Sequence, residues 1–150
     1  MGTSLVEFKG KGFWLNDSHF ELLAHLLSRE AENVLQRPDW LDGLRKQWMI
    51  QTVMGGTGCH TLSLDGILTS EDKVLCVLAI ARKVRENIAQ RKEPLSSEYI
   101  VNRFGQHMPF VGDVPKSWVL QGIDGLVKLL SGEYEHVIDN APYLPNIDDK

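Results

Sequence analysis

Apolar and charged residues alternate loosely from Leu5 to Leu15 around Gly10 and Gly12, which predicts a short extended segment or hairpin at the start of the chain. Such a unit is marginal alone and must lie on the elements that follow. From Ser18 the period changes. Ser18 and Glu21 have the spacing of a capping box, and Phe20, Leu23, Leu27, Ala31 and Val34 recur at steps of three and four, widened by Leu22 and Leu26. This predicts a helix with one broad buried face, stopped by Pro38. A second helix is expected from Asp39 to Met54, with Trp40, Leu41, Leu44, Trp48 and Thr52 on or beside one stripe, ended by Gly55-Gly56-Thr57-Gly58.

The third helix is capped by Thr69 or Ser70, has Glu71 and Asp72 in its first turn, and buries Val74, Val77, Leu78, Ala81, Val84 and Ile88. Arg82, Lys83, Arg85 and Arg91 gather toward its negative end. A short fourth helix from Ser96 or Ser97 to Gly105 carries Tyr99, Ile100 and Phe104. A fifth, from Lys116 to Leu130, turns Val119, Ile123, Leu126, Val127 and Leu130 inward, and its Gly122 and Gly125 imply close approach of a neighbouring helix. The expected fold is mainly α: a single-domain helical bundle of about five helices over residues 1–150 with a short N-terminal extended segment or hairpin. Residues 133–150 read as an extended acidic tail with Pro142 and Pro145.

A chain of 150 residues buries roughly two-thirds of its unfolded surface, enough for a core without staples. Charge is unevenly spread along it. Residues 1–44 hold seven acids and four bases, residues 45–92 four and eight, and residues 93–150 nine and four. The acidic final third favours a basic partner, whereas nucleic-acid binding needs a basic footprint and aromatic platforms, which the Arg82-Lys83-Val84-Arg85 cluster lacks. No apolar run approaches the ~20 residues of a membrane span, and the N-terminus has no signal-peptide pattern, so a cytoplasmic monomer is expected.

The chemistry-bearing residues do not assemble into a motif. Gly55-Gly56-Thr57-Gly58-Cys59-His60 follows a helix and precedes no lysine, unlike a phosphate loop. Cys59, Cys76 and the five histidines lack the paired spacings of a structural zinc site, and Cys76 lies among core positions. Neither a metal nor a cofactor is expected. Glu21 and His25 lie four apart on the first helix, a spacing suited to a general base but more often an exposed, weak pair. An enzyme is therefore not expected.

Glu133, Tyr134, Glu135, Asp139 and Tyr143 stand out as an acidic, aromatic stretch suited to contact with a basic partner. The residues Gly10-Lys11-Gly12-Phe13-Trp14, Asp17 with the leucine-rich helix, Gly58-Cys59 before Leu62 to Asp65, and Gly112-Asp113-Val114-Pro115 before an apolar helix ending Leu129-Leu130-Ser131-Gly132 form an ordered series. Together they resemble small helical bacterial immunity proteins of contact-dependent growth inhibition and polymorphic toxin systems. That resemblance implies a protein that binds a cognate toxin domain, such as a basic ribonuclease, and occludes its active site. The alternatives are an adaptor or structural interaction module, and a small enzyme using histidine and carboxylates.

Overall fold

The computed structural model describes residues 3–54, 62, 64–92, 95–96 and 114–133. Among them the fold is mainly helical with an N-terminal two-stranded antiparallel hairpin, as the periodicity predicts. Strands β1 (Thr3–Phe8) and β2 (Lys11–Asn16) pair in register from Thr3 opposite Asn16 to Phe8 opposite Lys11. The connecting Lys9 and Gly10 both have positive φ, 53° and 78°, the two-residue geometry that matches the twist of paired strands. Lys9 is an unusual residue in that region, and its amide donates to the Asp65 carboxylate at 2.9 Å, which ties the turn down.

Helix α1 (Asp17–Glu32) begins one residue after the strand, with Asn16 as its N-cap and no side-chain cap bond. The Ser18–Glu21 capping box therefore does not form. Ser18 is already inside the helix, and the Glu21 side chain is buried rather than reaching back. The helix also ends earlier than Pro38. Asn33 caps it, and Gln36 at φ 54° turns the chain toward α2 (Asp39–Met54), whose Leu41 and Asp42 amides bond to the Pro38 carbonyl at 3.1 Å. Trp48 is fully buried and donates from Nε1 to the Leu62 carbonyl at 3.2 Å, pinning the chain beyond α2 to the core.

A one-turn helix absent from the sequence reading, α3 (Leu64–Ile67), supplies the Asp65 that holds the hairpin turn. Helix α4 (Glu71–Ala89) starts as expected: the Ser70 side chain accepts from the Lys73 amide at 3.4 Å, and Glu71 and Asp72 occupy the first turn. Its last turn holds no basic residue. Lys116 instead reaches across to the Ala89 and Arg91 carbonyls, so the cation at the negative end comes from another helix. Helix α5 (Lys116–Ser131) is preceded by an antiparallel bridge between Leu95 and Val114. The expected helix over 96–105 lies outside the described residues.

The core runs through every described element. It includes the stripe centres Leu27 and Leu78, both buried, together with Phe13, Phe20, Trp48 and Ile123. Of the four tryptophans, Trp48 alone is fully buried. Trp118 is 40% exposed and its ring lies 4.5 Å from that of His19. The two glycines of α5 do permit close approach, of the hairpin at Gly125 and of both the hairpin and helix α1 at Gly122. A Cβ on Gly125 would lie 2.9 Å from the Phe13 ring, and one on Gly122 would sit 3.8 Å from Leu15 and Leu23.

Candidate binding surface

Where the hairpin turn meets the start of α4 and the end of α5, packing stops short. Phe8, Lys9 and Lys11 form one wall, Leu68 to Glu71 with Val74, Leu75, Leu78 and Arg82 the floor, and Leu129 to Gly132 the other wall of a groove of about 660 Å³. The apolar side of α4 explains its floor. Val74 and Leu78 belong to the buried stripe, while Leu75 steps out of it and is 52% exposed. Cations dominate the rim. Lys9, Lys11 and Arg82 line it against one acid, Glu71, and neither Lys11 nor Arg82 makes an ion pair among the described residues.

The far wall is also where the acidic stretch begins. Gly132, at φ 81°, turns the chain out of α5, and the Gly132 and Glu133 amides close the helix on the Leu129 and Lys128 carbonyls at 3.4 and 2.9 Å. Glu133 is exposed beside the groove. Tyr134, Glu135, Asp139 and Tyr143, the other expected contact residues, lie outside the described residues.

A second cavity, lined by Leu15, His19, Leu22, Leu23, Val114, Trp118, Val119 and Gly122, has a volume of about 10 Å³ and holds no more than one water. It is too small for a substrate. No family model, curated protein or solved structure matches the chain. The surface must therefore be interpreted from its own chemistry.

Catalytic candidates fare differently from their expected placement. Glu21 and His25 are buried at 3% and 1% exposure, not an exposed weak pair, and they share one side of α1 with buried Asp17 and Ser28. Ser4 Oγ donates to Asp17 at 2.5 Å and Ser28 Oγ to the Arg45 carbonyl at 3.2 Å, so this polar row stitches β1 and α2 to α1. Its reach to solvent is negligible. Cys76 carries a free thiol, half-buried against the core, and burial pushes its pKa up, away from the reactive thiolate. No group of three His, Cys, Asp or Glu side chains suited to a metal occurs among the described residues.

Sequence reasoning missed the groove. Lys9 and Lys11 belong to the hairpin pattern and Arg82 to the third helix, far apart along the chain. The available signal was Leu75, an apolar residue left over from an otherwise complete helical stripe.

Proposed function

We propose that this protein binds and neutralises a cognate toxin domain by covering the toxin's active site. The observation that carries this reading is the open, charged surface at the end of α5, where an apolar groove adjoins Glu133, the first residue of the acidic segment. Glu133, with the acidic residues that follow it in the sequence, matches a basic enzyme surface, and exposed apolar area suits tight occlusion. The resemblance to immunity proteins of growth-inhibition systems supports the same reading.

The test is to measure association and dissociation rates against the toxin domain encoded beside this gene, together with toxin activity. Replacing Glu133 and Glu135 with Gln and Asp139 with Asn is expected to slow association and weaken its salt dependence. Tyr134→Ala or Tyr143→Ala is expected to hasten dissociation. Absence of a complex at micromolar concentration overturns the reading. The exposed Leu75 equally favours an adaptor module, which would bind its partner and leave the partner's activity intact.

A further inference from the structure

The groove has chemistry opposite to that of Glu133 beside it, and this difference points to a separate ligand. Its floor runs along α4 from Glu71 to Arg82, about 16 Å or three helical turns at 1.5 Å per residue. Leu75 stands exposed in the middle of that length, over the buried Leu78 and Leu129. An elongated apolar floor of this length matches the anchoring face of an amphipathic helix, whose apolar residues recur at i, i+4 and i+7.

The rim decides the charge of the occupant. Lys9 is held in place by a turn whose own amide is bonded to Asp65, and its ammonium lies 5.3 Å from the Phe8 ring centroid at the groove edge. Lys11 and Arg82 add two cations without ion-pair partners among the described residues, in a chain whose overall charge is −4. A local cationic rim on an acidic protein repels a basic segment and attracts an acidic one. We infer that the groove between the hairpin turn, α4 and the end of α5 binds an acidic amphipathic helix of a partner protein. This goes beyond the toxin reading and does not depend on it.

The probe is a pair of synthetic, fluorescently labelled helical peptides of about fourteen residues, long enough to span three turns. Each carries leucines at i, i+4 and i+7, with glutamates elsewhere in one peptide and lysines in the other. Titrated with the full chain, the glutamate peptide is expected to bind saturably below about 100 µM, and the lysine peptide at least about tenfold more weakly. Leu75→Glu is expected to weaken binding of the glutamate peptide at least about tenfold, and Lys11→Glu with Arg82→Glu to reverse the preference between the peptides. Amide NMR shifts on binding should fall at Lys9, Leu75 and Arg82. Leu75→Glu and Arg82→Glu alter exposed side chains, so an unchanged melt confirms that each variant folds.

Absence of saturable binding of the glutamate peptide, equal affinity for both peptides, or shifts centred on Trp118 overturns the inference. The toxin assay is read separately. If the parent chain forms no toxin complex, the toxin reading fails while the peptide titration still decides the groove.

Discussion

The hairpin meets α5 in two ways along its length, and the two ends differ in what fills the space between them. At the β2 end, Gly125 brings the α5 backbone so close to Phe13 that a methyl group has no room, and the ring is fully buried. At the turn end, Phe8, Lys9 and Lys11 stand apart from Leu129 to Gly132 across a groove of about 660 Å³. The strands and the helix are the same; the side-chain size along α5 changes from glycine to leucine. Small residues seal a strand–helix contact into core, and larger ones past the last sealing turn leave an opening that a partner can use.

The largest expected effect lies at the sealed end. Phe13→Ala removes a fully buried ring and should cost about 3–5 kcal/mol, read as a lowered urea midpoint with unchanged slope. A loss well below about 1 kcal/mol would mean that Phe13 does not seal the contact. Next come the two glycines, whose alanine variants should move in opposite directions. Gly125→Ala forces a methyl against the enclosed Phe13 ring and should destabilise by about 1–3 kcal/mol. Gly122→Ala meets only ordinary contacts at 3.8 Å and should stabilise by up to about 1 kcal/mol through helix propensity, a rise of roughly 2–4 °C in melting temperature for a chain of this size. Equal shifts in both variants would contradict the asymmetry.

These glycines also mark how much of the molecule was legible in the sequence. The bounds of α2, the Ser70 cap of α4 and the extent of α5 follow from periodicity and capping chemistry, because those signals are local. That α5 has glycines requiring a close neighbour was legible too, but not that the neighbour is Phe13 of a strand, more than a hundred positions away. The Glu21–His25 pair, which the spacing reads as exposed, lies instead in a buried polar row with Asp17 and Ser28 for a related reason. A helix face rich in such residues reads as solvated until tertiary contacts bury it, and here Ser4 and the α2 backbone supply partners from elsewhere in the chain. The groove combines residues 8–11, 68–82 and 129–132, so only the misfit of Leu75 announced it. Glu133 was placed at an exposed position beside it.

The smallest expected effect is far from either end, on α2. Hydrogen bonds from Lys46 and Arg45 hold the Asp42 carboxyl below its usual pKa. A carboxylate with a lowered folded-state pKa contributes stability that is present at neutral pH and lost as pH falls through that lowered value. Asp42→Asn should therefore reduce stability slightly at neutral pH, and the difference from the parent should vanish in strong acid. The cluster is only partly buried and its charges are salt-screened, so added salt should shrink the difference as well. A difference that grows on acidification would reverse the assigned sign.

The contrast between a sealed and an open end is tested most directly by amide hydrogen exchange of the full chain, alone and saturated with the glutamate peptide. The account predicts new protection at residues 8–11, 68–78 and 129–133 on complex formation, with Phe13 and residues 122–126 equally slow in both states. Protection confined to the outer faces of α1 and α2, or to the region around His19 and Trp118, would contradict it.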